Sequence, residues 1–158
     1  MQAAVRWILT LLIGTVAMAQ FIQVFTRYVL QTPVMGLEEA TIFPSLWLYM
    51  LGAANASRED SQIRANVLEI FLSTPRAHAR LGVLAEAVSL VVTLWLAWWA
   101  WDFTRYSWRT ERESATLYWP VLYGDLALVT ALVLVAAFTL RTLARHLRVA
   151  FGTEAAHG

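Results

Sequence analysis

Long stretches of apolar residues alternate with short charged segments along this chain. Apart from isolated acidic residues, charge is missing from residues 7–26, 40–57, 81–104 and 117–140. A hydrocarbon core about 30 Å thick is crossed by roughly 20 apolar residues of α-helix, so each stretch is close to the length of one membrane span. The pattern predicts an all-α membrane protein with four transmembrane helices in a single domain, residues 1–158.

The first stretch also fits a secretory signal peptide. Arg6 precedes an apolar run, and Ala17-Met18-Ala19 has the form of a cleavage site. However, the apolar run continues past this triplet to Phe25, and the rest of the chain is still rich in apolar stretches. We therefore expect an uncleaved first span.

The charged residues predict an orientation for the four spans. Of the 12 arginines, eight lie at the amino end, at the carboxyl end or between the second and third stretches, and four lie on the opposite side. Short cytoplasmic loops hold an excess of Lys and Arg. Both termini are thus predicted to face the cytoplasm (N-in/C-in).

The segment after the second stretch has its own periodicity. Ile63, Val67, Ile70 and Phe71 recur at helical spacing, and polar residues occupy the other faces. This predicts an amphipathic interfacial helix over about residues 62–73, between spans two and three and in contact with membrane lipid.

The next helix has a clear predicted start. Thr74 suits the N-cap and Pro75 the first helical position. A helix that runs from there to about Tyr106 would be about 48 Å long at 1.5 Å per residue, so we expect it to protrude from the membrane or to tilt.

Composition narrows the classes of function. Hydrophobic residues make up 59% of the chain and charged residues 15%, against about 25% charged in soluble domains. The formal net charge of +1 supplies no basic surface for nucleic acid, so no nucleic-acid partner is expected. The chain has no Cys, which excludes disulfides and thiolate metal sites.

The sequence predicts no enzymatic activity. The histidines, His78, His146 and His157, lie outside the predicted spans, where they are poorly placed to ligate a haem between helices. The chain carries no Gly-rich phosphate loop and no zinc-protease or esterase motif. We expect no catalytic residue, no cofactor and no metal.

Small residues at four-residue spacing are candidates for close helix packing. The pairs are Gly52 and Ala56, Ala53 and Ser57, Ala85 and Ser89, and Ala127 and Ala131. Such pairs make packing plausible without indicating which helices contact each other.

Few ionisable residues lie within the predicted spans. Glu86, Asp102 and Asp125 sit near span ends, where carboxylates can reach the headgroups, so structural roles are favoured over an ion pathway. Tryptophans from Trp95 to Trp119 crowd the region around the end of span three, as in an interfacial aromatic belt.

Gln20, Gln23 and Arg27 form one polar stripe on the first span. Their spacing of i, i+3, i+7 places them on one helix face. Two interpretations stay open: the stripe bonds to a neighbouring helix of this chain, or it contacts a partner subunit.

Several short motifs, taken in order, resemble one family. The first group comprises Arg27-Tyr28, Glu38-Glu39, Leu51-Gly52-Ala53, Arg58 and Ile63-Arg64, and the second Ser114, Leu117, Pro120 and Gly124. Together they resemble the small membrane subunit, the Q-type subunit, of tripartite ATP-independent periplasmic (TRAP) transporters. The chain departs from the family pattern at Gly36-Leu37, Gln62 and Asn66.

The resemblance implies a supporting role in transport. It implies a large multispan permease subunit that moves an organic acid coupled to sodium, a periplasmic binding protein that delivers the substrate at the outer face, and a bacterial inner membrane. The small subunit would be a scaffold. Glu38 and Glu39 either cap the second span, where the helix dipole favours negative charge, or pair with an arginine of this chain or of the permease.

Two other classes of function remain open at this stage. One is a self-sufficient small transporter, which the lack of a carboxylate at the predicted membrane centre disfavours. The other is a membrane anchor for a different complex, which would be recognised by its partner.

Overall fold

The computed structural model describes residues 2–32, 34–59 and 75–151 of the 158-residue chain. The described part contains four helices: α1 (Gln2–Tyr28), α2 (Leu37–Arg58), α3 (Pro75–Arg109) and α4 (Leu122–Phe151). The all-α prediction is therefore confirmed. The predicted interfacial helix at 62–73, with Arg64, lies outside the described residues.

Most helix boundaries follow the local sequence signals. Gly36, at φ 84°, turns the chain into α2, a left-handed conformation that glycine adopts without steric cost. Pro75 is the first residue of α3, as the sequence predicts. That helix has 35 residues, or about 52 Å at 1.5 Å per residue, which is longer than a hydrocarbon core of about 30 Å.

The fourth helix begins later than the predicted start of the fourth span, at about residue 117. Residue 117 lies in a loop, and α4 begins at Leu122. The backbone folds back before the helix: the Ser114 N–H donates to the Trp119 carbonyl at 2.8 Å, and the Val121 N–H to the Arg112 carbonyl at 2.9 Å. Apolar side chains in this folded loop extended the hydrophobic pattern beyond the helix.

Three helical segments are long and apolar enough to cross a membrane: Ala3–Tyr28, Arg80–Arg109 and Leu122–Arg148. The 22-residue α2 is more polar, because it includes Thr41, Ser45, Asn55 and Ser57. It packs between two other helices, where such side chains have protein neighbours. A fourth crossing by α2 and the orientation of the termini stay predictions.

The helices are arranged as an open row. In the described residues, the principal contacts join α1 to α2, α2 to α4, and α4 to α3. The spatial order is therefore α1, α2, α4, α3, with α1 and α3 at the two edges. Each edge helix has its main contacts with one neighbour, so large surfaces stay uncovered.

A stripe of mostly small side chains on α3 faces α4. Its buried members are Thr93, Ala100, Thr104 and Ser107, together with the larger Glu86. Opposite them, α4 buries Ala127 and Ala131, so the predicted small pair in α4 does lie at a close helix contact. Thr93 and Thr104 donate to carbonyls one turn back in their own helix, both at 2.8 Å, so their hydroxyls are satisfied within the packed surface.

The large apolar side chains point away from these contacts. Exposed examples include Phe21 on α1 and Trp95, Trp98 and Trp99 on α3. Lipid tails are as apolar as these side chains, so helices in a membrane associate through close packing of small residues. The small-inside, large-outside arrangement is thus the one expected for a membrane protein.

Candidate functional site

The two ends of the row differ in composition. At one end, the loop end, α1 and α3 finish and α2 and α4 begin, and the connection 110–121 crosses them. The other end, the terminus end, contains the start of α1 and the end of α4. Most of the motif residues that the structure describes lie at the loop end.

Glu39 is the centre of the contacts at the loop end. Its carboxylate accepts hydrogen bonds from the Ser114 hydroxyl at 2.9 Å, and from the Thr116 and Leu117 N–H groups at 3.0 Å each. Ser114 Oγ in turn accepts from the Trp119 N–H at 3.4 Å. One carboxylate on α2 therefore holds the fold of the connection to α4.

Ionised Glu39 is favoured by this arrangement. Partial burial raises the pKa of Glu39 and is the largest single influence on it. The hydrogen bonds from Leu117, Ser114 and Thr116 together outweigh burial, so the pKa of Glu39 lies below its ordinary value. Glu39 precedes the predicted span at 40–57, so its carboxylate is expected outside the hydrocarbon region.

Apolar contacts complete what we call the clasp, formed by Gly36, Glu39, Phe43, Ser114–Leu117 and Trp119. A Cβ at Gly36 would lie 2.8 Å from Leu117 Cδ2, so Leu117 packs directly on the turn before α2. The Phe43 and Trp119 rings are 5.8 Å apart between centroids. The clasp thus combines a charged hydrogen-bond centre with an aromatic cover.

The start of α4 is tied to α2 just beyond the clasp. Trp47 Nε1 donates to the Tyr123 carbonyl at 3.1 Å. A Cβ at Gly124 would lie 2.9 Å from Leu46 Cδ1, so glycine allows the two helices to approach closely there. Gly124 belongs to the motif group that also includes Ser114 and Leu117, and the structure brings all three against α2.

The other acidic residue of the pair connects α1 to α2. Gln23 Nε2 donates to Glu38 Oε1 at 2.5 Å. The polar stripe of α1 is thereby divided: Gln23 bonds to a neighbouring helix, whereas Gln20 and Arg27 are exposed. The Arg27 guanidinium lies 6.0 Å from the ring centre of Tyr28, which is itself exposed.

Glu38 and Glu39 both lie in the first turn of α2, and pairing with an arginine of the permease stays a prediction. Among the described residues, Glu39 accepts from Ser114, Thr116 and Leu117 rather than from an arginine. The N-cap position at Gly36 has no side-chain hydrogen bond. Sequence reasoning missed the partners of Glu39, although the resemblance had singled out Ser114 and Leu117.

Two other motif residues, Gly52 and Arg58, lie on α2 away from the clasp. A Cβ at Gly52 would meet no atom within 4 Å, so this glycine borders open space rather than another helix of the chain. Arg58 ends α2 at the terminus end and pairs with Glu59 at 3.1 Å.

The acidic residues of the spans separate into two kinds. Glu86 and Asp125 are buried, at 5% and 9% exposure, whereas Asp102 is exposed. Asp125 Oδ2 on α4 and Ser107 Oγ on α3 are buried without a hydrogen-bond partner in the described part. Within that part, no group of three His, Asp or Glu side chains is placed to hold a metal ion.

Comparison with known families decides the identity. The family described as "Tripartite ATP-independent periplasmic transporters, DctQ component" matches residues 16–149. The chain belongs to this family. The match includes α2, α3, the clasp and nearly all of α4, and it confirms the resemblance drawn from the motifs.

Membership in the DctQ family assigns a class of function. Proteins of this family are small membrane components of TRAP transporters rather than enzymes, and they associate with a large permease and a periplasmic binding protein. A comparison with curated proteins found no match to this chain.

Proposed function

We propose that this chain is a stationary scaffold subunit, which supports a large permease in the ion-coupled uptake of an organic acid. The binding protein that delivers the substrate would approach the loop end, on the periplasmic side of a bacterial inner membrane. Both termini would then lie in the cytoplasm, as the arginine distribution predicts.

The open row of helices is the observation that carries this proposal. Because α1 and α3 each have one principal neighbour, the row offers two wide apolar faces and two edges instead of a closed interior. A partner with many spans can pack against such a surface. A substrate pathway, in contrast, requires polar groups that converge inside a bundle.

The clasp supports a rigid role for the loop end. Its hydrogen bonds and ring contact join α2 to the 110–121 connection, and the Trp47–Tyr123 bond joins α2 to α4, so three elements present one fixed surface. Gln20, Arg27 and Tyr28 are exposed beside it and are the residues of this region that we propose for contact with a partner subunit. Gly52 would provide a close approach for a partner helix on α2.

Co-purification of the variants Gln20→Ala and Arg27→Ala with the permease tests this assignment. The chain is purified with its permease in mild detergent, and the retained permease is measured against the unmodified chain. Loss of permease with an unchanged melting temperature of the small chain supports an interface. Full retention by both variants would place the permease interface elsewhere.

A Glu38→Ala, Glu39→Ala double variant gives a separate measurement. It breaks the α1–α2 bond and the clasp, so we expect weaker co-purification and slower uptake. The matched control is Glu113→Gln, which changes an exposed carboxylate in the same connection. If assembly and uptake are the same in both, the loop-end contacts have no part in the scaffold role.

A further inference from the structure

A groove at the terminus end is not explained by the contacts described so far. It lies between α1, α2 and α4 and has a volume of about 720 Å³. This is within the range of about 300–1,000 Å³ that small-molecule sites occupy. The groove follows from the open row, because α1 and α4 flank α2 without a principal contact to each other.

The lining of the groove is apolar along most of its length and cationic at its end. Ile8, Leu9, Leu51 and Leu134 line the apolar part. Ile8 is about half exposed, so the groove is open on the side where acyl chains would lie in a membrane. The apolar part therefore suits a hydrocarbon chain.

Arginines from two helices meet at the end of the groove. Arg58 of α2 and Arg141 of α4 line it, and Arg145 lines an adjoining cavity of about 240 Å³ that shares both residues. Glu59 pairs with Arg58, which leaves an excess of positive charge among the lining residues. Guanidinium groups bind phosphate through paired N–H donors.

An unsatisfied acceptor adds a further polar feature. Asn55 Oδ1 is buried without a hydrogen-bond partner in the described part of the chain, and Asn55 lines the groove between Leu51 and Arg58. A buried carbonyl oxygen that lacks a donor is energetically costly. A ligand with a hydroxyl or amine near its phosphate would supply that donor.

We propose that this groove binds an anionic phospholipid. The phosphate would lie between Arg58 and Arg141, one acyl chain would follow the apolar wall of α1 and α4, and a headgroup hydroxyl would donate to Asn55. Basic pockets between helices at the cytoplasmic surface are a general way in which membrane proteins hold anionic lipid. The proposal concerns binding and does not depend on the scaffold role.

Lipid retention by the complex tests the site. The full chain is purified with its permease, exchanged into detergent with phosphatidylglycerol or phosphatidylcholine of the same acyl chains, and examined by native mass spectrometry. We expect selective retention of phosphatidylglycerol. Since one arginine near a membrane surface contributes about fivefold to anionic-lipid binding, Arg141→Gln is expected to weaken it about fivefold, and the Arg58→Gln, Arg141→Gln double variant roughly 25-fold.

The controls separate this site from general charge effects. The Arg105→Gln, Arg109→Gln double variant removes two exposed arginines at the loop end and should retain the lipid fully. Arg58→Lys with Arg141→Lys keeps the charge and should retain selectivity for the anionic lipid. Because Arg141 is exposed, its single substitution is readable even if the double variant is poorly folded.

Three results of the lipid measurements would overturn the proposal. They are equal retention of the two lipids, equal loss in the loop-end control, and displacement of phosphatidylglycerol by millimolar inorganic phosphate. The last would indicate a simple anion site that makes no use of the apolar groove. A protein segment of the permease found in the groove would likewise exclude the lipid.

Discussion

At the scale of single residues, Glu39 has more consequence than its position near a helix start suggests. Its carboxylate accepts hydrogen bonds from one hydroxyl and two backbone N–H groups of the 110–121 connection. Backbone donors that lose such an acceptor must find water or remain unpaired. The residue therefore determines how the connection folds over α2.

Replacement of Glu39 by Gln should lower the melting temperature of the detergent-purified chain. The amide keeps the shape but loses the charge that strengthens these bonds. Scanning fluorimetry measures the change, with Glu113→Gln as the control in the same connection. Equal melting temperatures for the two variants would contradict the central role of Glu39.

The low pKa of Glu39 predicts a dependence on pH. A carboxylate whose pKa is lower in the folded chain contributes stability that is complete above its ordinary value of 4.5 and is lost as the pH falls through the folded value. The melting temperatures of the wild type and Glu39→Gln should thus converge below about pH 4.5. A constant difference from pH 7 to pH 3.5 would be inconsistent with this linkage.

Two glycines, Gly36 just before α2 and Gly52 within it, offer a matched comparison. At Gly36 a side chain would require a left-handed backbone and would contact Leu117 at 2.8 Å, so Gly36→Ala should destabilise the chain by about 1–2 kcal/mol. Gly52→Ala meets open space and should be neutral or stabilising by about 0.5–1 kcal/mol. Equal effects on chemical unfolding in detergent would contradict the described turn.

At the scale of helices, the α3–α4 contact depends on small residues. Ala100 is buried against α4, whereas Trp98 on the same helix is exposed. Ala100→Leu adds volume to a close-packed surface, which typically costs about 1–3 kcal/mol. We expect it to lower the melting temperature, while Trp98→Leu leaves the isolated chain unchanged. A reversed order would mean that α3 packs through its tryptophan face.

Orientation is a second prediction at this scale. The chain has no Cys, so a single introduced thiol is a unique label. Glu111→Cys at the loop end should react with a membrane-impermeant maleimide from the periplasmic side, and Arg148→Cys at the terminus end should react after the cytoplasmic side is opened. The opposite pattern would reverse the proposed topology.

Sequence reasoning succeeded where one local signal determines one element. The uncharged stretches predicted α1 and α3, and Pro75 marked the first residue of α3. It set the start of the fourth span ahead of the start of α4, because Leu117 and Trp119 are apolar as parts of the clasp rather than as lipid-facing residues of a helix. Periodicity along one chain cannot distinguish these two reasons for an apolar residue.

The contacts of the candidate site were less accessible to sequence reasoning. Glu39 and Ser114 are 75 positions apart, and no local pattern pairs them. Gln23 and Glu38 are only 15 positions apart, yet their bond depends on the angle at which α1 and α2 meet. For Gly52 the sequence suggested close helix packing, but no other described helix of this chain lies against it.

At the scale of the whole molecule, the open row supports our proposal of a supporting subunit over that of an independent transporter. The order α1, α2, α4, α3 leaves both edge helices with uncovered apolar surface. A chain of this shape gains contacts when a larger membrane protein packs on it. DctQ components of TRAP transporters, the family of this chain, associate with such a partner, the large permease.

Reconstituted uptake tests the scaffold role most directly. The chain, the permease and their binding protein are assembled in proteoliposomes under a sodium gradient, and labelled organic-acid uptake is measured with and without each membrane subunit. We predict uptake when both subunits are present and none, above empty vesicles, when this chain is the sole membrane subunit. Gradient-driven uptake by this chain without the permease would contradict the account.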